Sequence, residues 1–209
     1  MRDLLKKCFV ELIGTFFFVF ITGCALFPNE RVGFPPLAIG FALILLVYMG
    51  RHISGGHYNP AVSLAASIRG ALKWRDFPAY LVSQFIGGSL GALLTGYIVA
   101  VPPYARETSF SIIPMIICEF LFTFLLCYVV LQTTTSKKTE GNSYFGLAIG
   151  SVVLVGFLAT IGTCYSAFNP AVALGFYVMK IAQTKLIAYT ILTNFVAGAA
   201  AAGAYKISE

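Results

Sequence analysis

The sequence predicts an all-α membrane protein in which six membrane-spanning helices and two re-entrant half-helices form an inverted repeat. Two observations predict this architecture. The 209 residues are 58% hydrophobic and 11% charged, with a mean hydropathy of +0.85. The tetrapeptide Asn-Pro-Ala-Val occurs twice, at residues 59–62 and 169–172. We interpret residues 1–209 as one domain, with one repeat in residues 1–100 and the other in residues 111–209.

The composition excludes a soluble enzyme and a disordered chain. Soluble domains are usually about 45–50% apolar and about 25% charged, whereas 14 Lys and Arg and 8 Asp and Glu are too few to cover a water-facing surface. Disorder requires low hydrophobicity and high charge. The net charge of +6 is not accompanied by a basic stripe with interleaved aromatic side chains, so we expect no nucleic-acid partner.

Six apolar windows have the length of a membrane-spanning helix, which needs about 20 mostly apolar residues. Short polar connections separate them. The windows are Cys8–Phe27, Pro36–Gly50, Phe77–Ala100, Ser111–Leu131, Tyr144–Ile161 and Leu186–Tyr205.

The basic residues predict how these windows cross the membrane. Ten lie on the side of the N-terminus and four on the other side, which by the positive-inside rule puts both termini in the cytoplasm. The first group is Arg2, Lys6, Lys7, Arg51, Arg69, Lys73, Arg75, Lys137, Lys138 and Lys206. The second group is Arg31, Arg106, Lys180 and Lys185.

The start of the chain bears on the membrane in which the protein resides. An N-terminus without an Arg- and Ser-rich leader favours a plasma membrane or a bacterial inner membrane. A cleaved secretory signal is the alternative for the first window, which is longer than the about 7–15 apolar residues of such signals.

Self-similarity at a spacing of 110 residues relates the two halves. Leu37-Ala38-Ile39-Gly40 recurs at residues 147–150, and Gln84-Phe85 aligns with Asn194-Phe195. Glu11 pairs with Glu119 at a spacing of 108. Each repeat holds three windows, an odd number, so the second copy enters the bilayer inverted, as in many transport proteins.

Each Asn-Pro-Ala-Val begins an apolar stretch that is too short to span the membrane. The stretches Asn59–Ile68 and Asn169–Met179 would be about 15 Å long, half of a hydrocarbon core of about 30 Å. Pro is favoured at the first helical position and Asn just before it. The glycine-rich approaches, residues 54–56 and 162–163, predict non-helical backbone that lines a buried path. Inversion then brings the two Asn-Pro starts together near the midplane.

This arrangement predicts a narrow passive pore. Each helix N-terminus carries about half a positive charge, so two facing N-termini repel cations. The amides of Asn59 and Asn169 can donate hydrogen bonds to a passing oxygen, whereas a hydrated cation would lose its shell without replacement. The predicted central constriction comprises Asn59, Pro60, Ala61, Asn169, Pro170 and Ala171.

The segments His57–Val62 and Phe168–Val172 resemble the two signature Asn-Pro-Ala (NPA) boxes of the aquaporins and aquaglyceroporins, the major intrinsic proteins. The resemblance covers essentially the whole chain and implies an aquaporin-like fold and a homotetramer with one pore per subunit. It also implies that Glu11 and Glu119 brace the loops before the half-helices. We expect His57 to hold loop backbone as well.

The resemblance also implies an outer constriction, or selectivity filter, whose Arg normally follows the second box. Here that position is Val172, and the other three positions fall by spacing on Ile39, Phe157 and Ser166. This set is similar neither to a water-type filter nor to a glycerol-type filter. Because valine lacks the donors and the charge of a guanidinium group, we expect this constriction to be wider, less polar and less repulsive to cations.

We therefore predict a passive channel that conducts water and small neutral solutes. One alternative is a channel for glycerol, ammonia, urea or metalloid hydroxides with little water flow. Another is a non-conducting structural membrane protein of the same fold, since apolar constrictions can close by dewetting. No nucleophile–base pair and no metal-ligand spacing is visible, so we predict no enzyme activity, no catalytic residue, no metal and no cofactor.

Overall fold

In a computed structural model, the described residues form eight α-helices. The structure describes residues 2–26, 34–99 and 110–209, so the predicted span ends Phe27 and Ala100 and the basic residues Arg31 and Arg106 lie outside the described part. The helices are α1 (Arg2–Leu26), α2 (Pro35–Ser54), α3 (Pro60–Arg69), α4 (Phe77–Val99), α5 (Ile112–Thr134), α6 (Phe145–Thr160), α7 (Pro170–Val178) and α8 (Thr184–Ser208). A short 3-10 helix, Lys137–Thr139, lies between α5 and α6.

Five of these helices, α1, α2, α4, α5 and α8, are long and apolar enough to cross a membrane. The sixth predicted span is the 16-residue helix α6, about 24 Å long at 1.5 Å per residue. It ends at Thr160, whose carbonyl accepts hydrogen bonds from the Thr163 and Cys164 amides at 2.9 and 3.3 Å. Gly162 makes this turn possible with a φ of 81°, which glycine adopts without steric cost.

Several helices extend beyond the predicted windows. Helix α1 begins at Arg2 rather than Cys8, and α8 runs from Thr184 to Ser208 rather than from Leu186 to Tyr205. Hydropathy locates only the apolar part of a helix, whereas backbone hydrogen bonding continues through charged residues outside the hydrocarbon. The window boundaries were therefore too narrow at these ends.

The helix contacts repeat along with the sequence. Helix α1 packs against α4 and α2 as α5 packs against α8 and α6, while α2 contacts α6 and α3 contacts α7. The half-helices cross over, since α3 packs against α8 and α7 packs against α4. Each half-helix is therefore held by a long helix of the other repeat.

Two glycines at equivalent positions permit this crossing. A Cβ atom at Gly198 would lie 2.6 Å from the carbonyl oxygen of Ala61, and one at Gly88 would lie 3.1 Å from that of Ala171. Both pairs are related by the spacing of 110 residues. The first turn of each half-helix thus touches the backbone of its supporting helix.

We expect Gly198→Ala to destabilise the protein, because the added carbon meets a backbone oxygen at 2.6 Å and such overpacking typically costs about 1–3 kcal/mol. Gly203→Ala is the matched control in the same helix, since nothing lies within 4 Å of its Cβ position. Alanine is favoured over glycine in helices by about 1 kcal/mol, so this control should be neutral or stabilising. Thermal unfolding in detergent measures both variants, and equal midpoints would contradict the contact.

Candidate functional site: a passage between two half-helices

The half-helices begin in the same way, at a proline preceded by a capping asparagine. Asn59 Oδ1 accepts from the amides of Ala61 at 2.9 Å and Val62 at 3.5 Å. Asn169 Oδ1 accepts from the amide of Ala171 at 2.9 Å. The proline in the first position lacks an N–H that would otherwise need a partner. Because the cap fixes the oxygen of each amide toward its own helix, the nitrogen faces away from it.

Both asparagine nitrogens reach the opposite loop. Asn59 Nδ2 donates to the Phe168 carbonyl at 2.8 Å, and Asn169 Nδ2 donates to the Tyr58 carbonyl at 2.9 Å. A carboxamide nitrogen has two hydrogens, so one N–H of each amide is left over. Two donors and two positive helix ends therefore converge at one buried point, where an oxygen atom is favoured and a cation is not.

The loops before the half-helices carry matching left-handed residues. Gly56 and Tyr58 have φ values of 63° and 47°, and their counterparts Ser166 and Phe168 have values of 52° and 48°. Residues other than glycine rarely adopt such angles, and they persist only where the surrounding structure holds them. The loops therefore depend on contacts from outside.

Glu11 supplies these contacts in the first repeat and is fully buried. Its Oε1 accepts from the His57 amide at 2.9 Å and from Ser54 Oγ at 2.7 Å. Its Oε2 accepts from the Tyr58 amide at 2.6 Å and from Gln84 Nε2 at 2.8 Å. Four donors thus surround one carboxylate, which joins the loop to α1, α2 and α4.

Glu119, also fully buried, has the same position in the second repeat. It accepts from the amides of Ala167 and Phe168, each at 2.9 Å, and from Asn194 Nδ2 at 3.0 Å. Its two loop partners lie 110 residues after those of Glu11. All the hydrogen-bond partners seen in the described residues are donors, which fits a bracing role rather than a proton relay.

No role was assigned from the sequence to Gln84 and Asn194, whose side-chain amides donate to Glu11 and Glu119. Gln84 Nε2 also donates to Ser63 Oγ at 2.8 Å, and Asn194 Nδ2 also donates to Thr123 Oγ1 at 2.9 Å. The signal was available, because Gln84 and Asn194 align in the repeat.

The His57 side chain contacts a group other than the one we expected. Its Nδ1 lies 3.0 Å from Ser63 Oγ on helix α3, while its backbone amide is the part that binds Glu11. The ring thus fixes the loop to the half-helix through a side-chain hydroxyl rather than by holding loop backbone.

A cavity lies where the two asparagines meet. It offers about 10 Å³ to a water molecule, about the space that one water requires. Several lining residues are equivalent in the two repeats, so the cavity includes the place where the two repeats meet. These pairs are Asn59 and Asn169, Leu43 and Val153, and His57 and Ala167.

Other lining residues belong to one side only. Gly56, Val62 and Ile149 line the cavity, whereas their repeat counterparts Ser166, Val172 and Ile39 do not. The cavity therefore extends from the centre toward the side of Gly56. The residues of the predicted outer constriction are all buried, at 2% exposure for Ile39, 6% for Phe157, 4% for Ser166 and 2% for Val172.

Comparison with known sequences identifies the group of proteins that this chain matches. The model of the major intrinsic protein family matches residues 1–205. The chain is 31% identical over 208 residues to aquaporin NIP1-1 of Zea mays, covering 93% of this chain and 73% of that protein. It is 35% identical over 187 residues to nodulin-26 of Glycine max, covering 82% and 66%. It spans only 62% of aquaporin NIP1-3 of Oryza sativa subsp. japonica, with 34% identity over 179 residues and 81% of this chain covered.

A solved structure has the same fold. The aquaglyceroporin of Plasmodium falciparum superposes with a TM-score of 0.82 at 20% identity, covering 97% of this chain and 95% of that one. Among the described residues, no group of three or more His, Cys, Asp or Glu side chains could hold a metal ion.

Proposed function

The chain belongs to the major intrinsic protein family, and we propose that water and small neutral solutes cross it passively between Asn59 and Asn169. Its family and relatives make it a transmembrane channel for water and small solutes rather than an enzyme. One observation carries the proposed path. Two half-helix starts meet at a cavity, and each asparagine there keeps one N–H that its helix cap and the opposite loop do not use.

The central constriction in this proposal consists of Asn59, Pro60, Ala61, Asn169, Pro170 and Ala171. Glu11, Glu119 and His57 brace it. The burial of the constriction residues and the converging donors support the assignment. Hydrogen bonds to the backbone fix the two asparagine amides, which are the hydrogen-bond donors. The oxygen atom of a solute can therefore pass from one amide to the next without rearrangement of the protein.

The outer constriction in this proposal consists of Ile39, Phe157, Ser166 and Val172. The repeat supports three of these residues, since their counterparts Ile149, Gly56 and Val62 line the cavity on the opposite side of the asparagines. The counterpart of Phe157 is Val47, which is not part of that lining, so Phe157 rests on the family resemblance.

A specific observation favours a second candidate function within the same fold. The position after the second box holds Val172, and Ser166 supplies the only side-chain hydroxyl among the four residues of the proposed outer constriction. Because it lacks the guanidinium group of an arginine, we expect such a ring to attract water weakly and to be wider than a ring that contains one. Glycerol, ammonia, urea and metalloid hydroxides are the solutes that this candidate function comprises.

The protein is an integral membrane protein, and we propose both termini in the cytoplasm of a plasma membrane or bacterial inner membrane. The excess of basic residues in the connections on that side supports the orientation. We also propose a homotetramer with one pore in each subunit, as the family resemblance implies.

Osmotic shrinkage of proteoliposomes tests the path, and we expect wild-type protein to shrink vesicles faster than lipid alone. Val153→Trp should abolish the excess, because Val153 lines the cavity and an indole would fill a space of about one water. Val155→Trp is the matched control in the same helix, since Val155 is 53% exposed on the outer face. Stopped-flow light scattering after a shock with an impermeant osmolyte measures the shrinkage rate for wild type and both variants.

The outcomes separate the candidate functions. Fast wild-type shrinkage that only Val153→Trp removes supports the proposed water path. Wild-type shrinkage no faster than lipid contradicts it, and flux of glycerol or urea in the same vesicles would then favour the second candidate. Absence of every flux would favour the non-conducting structural protein.

A further inference from the structure

The hydroxyl of Ser166 is held from behind by a second hydroxyl. Thr160 is the last residue of α6, is 1% exposed, and its Oγ1 lies 2.8 Å from Ser166 Oγ. Either atom could in principle donate in this pair. The other bond of Thr160 decides between them.

Thr160 Oγ1 donates to the Gly156 carbonyl at 2.7 Å. A carbonyl oxygen can only accept, and a threonine hydroxyl has a single hydrogen. The bond to Gly156 therefore uses the hydrogen of Thr160, and Ser166 is the donor in the bond between the two hydroxyls. The Ser166 O–H points at Thr160, and only the lone pairs of its oxygen are left for another group.

Neighbouring contacts leave Ser166 little alternative. Cys164 Sγ, a weak acceptor 3.7 Å from Ser166 Oγ, already accepts from the Ser166 amide at 3.3 Å. The backbone is also fixed, because the next two amides, of Ala167 and Phe168, donate to Glu119. The direction of the Ser166 hydroxyl is thus set by the end of α6.

We propose that Thr160 is a positioning residue that makes Ser166 an acceptor-only group, so that the outer constriction selects neutral solutes able to donate hydrogen bonds. The inference rests on the proposed function, since it assigns a specificity to the proposed outer constriction. Ile39, Phe157 and Val172 offer no side-chain donor there. An arginine at the last position would present donors only, whereas the four side chains present here supply one acceptor, the Ser166 oxygen. Small amides and ammonia belong to the favoured class, whereas sulfoxides, which only accept, belong to the disfavoured one.

The experiment compares acetamide, which donates through its N–H groups, with dimethyl sulfoxide, which only accepts and is similar in size. Thr160→Val removes the acceptor behind Ser166 at nearly constant volume, so the Ser166 O–H becomes free to donate to a solute in the proposed outer constriction. We expect the ratio of acetamide to dimethyl sulfoxide permeability in proteoliposomes to fall about two- to tenfold, the effect of one hydrogen bond. Thr160→Ser keeps the hydroxyl and should restore the wild-type ratio, which a merely structural role of the threonine methyl group would not explain.

Ser166→Ala provides an independent variant if Thr160→Val folds poorly. It removes the acceptor itself, so acetamide permeability should fall while dimethyl sulfoxide permeability does not. A channel that conducts both solutes with an unchanged ratio in these variants would overturn the inference and leave the proposed function standing. A wild-type protein that conducts water and neither solute, or nothing at all, would overturn the inference too, and in the last case the proposed function with it.

Discussion

Glu119→Leu is expected to lower the free energy of unfolding by about 3 kcal/mol or more, because three buried donors lose their common acceptor and each orphaned group costs about 1–3 kcal/mol. The donors are the amides of Ala167 and Phe168 and the side-chain nitrogen of Asn194. Two of them belong to a loop with left-handed residues that cannot form helical hydrogen bonds instead. Glu119 is fully buried, so the orphaned donors would lose their partner without bulk solvent to replace it.

Heat resistance in detergent, followed by fluorescence-detected size exclusion, measures this effect. Glu119→Gln should lie between wild type and Glu119→Leu, since a carboxamide keeps one accepting oxygen and loses the other. Leu121→Ala is the matched control on the same helix, because Leu121 is 55% exposed and should change stability little. A Glu119→Leu protein as heat-resistant as wild type would show that the loop does not depend on this brace.

Local signals account for what could be predicted of the fold. The predicted family and all-helical membrane fold are confirmed. They could be predicted because composition, window length and a repeated tetrapeptide can be read from the sequence without knowledge of tertiary contacts. The half-helices were predicted at Asn59–Ile68 and Asn169–Met179, and the observed α3 and α7 begin at the following prolines. A capping residue and a helix-starting residue act within one turn, so their sequence is sufficient to place a helix start.

Contacts that depend on how the chain turns and packs could not be predicted in the same way. The crossing of α3 onto α8 and of α7 onto α4 depends on how two repeats interlock, which no window of sequence contains. The bond between Thr160 and Ser166 requires the turn at Gly162 to bring the end of α6 back onto the loop. Gln84 and Asn194 were aligned by the repeat, yet their roles became apparent only when Glu11 and Glu119 were seen beside them.

Val172→Arg is expected to reduce acetamide permeability by about tenfold or more, the scale on which a filled site discriminates by size, while water permeability falls less. Val172 is 2% exposed in the first turn of α7, and its repeat counterpart Val62 lines the cavity. A guanidinium group there would narrow the proposed outer constriction and add a permanent positive charge with up to five donors. The charge would act together with the positive ends of α3 and α7, so any cation leak of the wild-type channel should also fall.

Val172→Leu separates the charge of the arginine from its bulk. Leucine adds bulk without charge, so it should reduce acetamide flux in part and leave cation leak unchanged. Arginine adds both bulk and charge, so it should reduce acetamide flux and cation leak. Stopped-flow measurements of acetamide and water flux, with a potential-sensitive dye to report cation leak in the same proteoliposomes, provide the three readouts. Equal acetamide flux in wild type and Val172→Arg would place residue 172 outside the constriction. In that case, the exclusion of cations would rest on the central asparagines, with their two free N–H groups and two helix ends, without a contribution from residue 172.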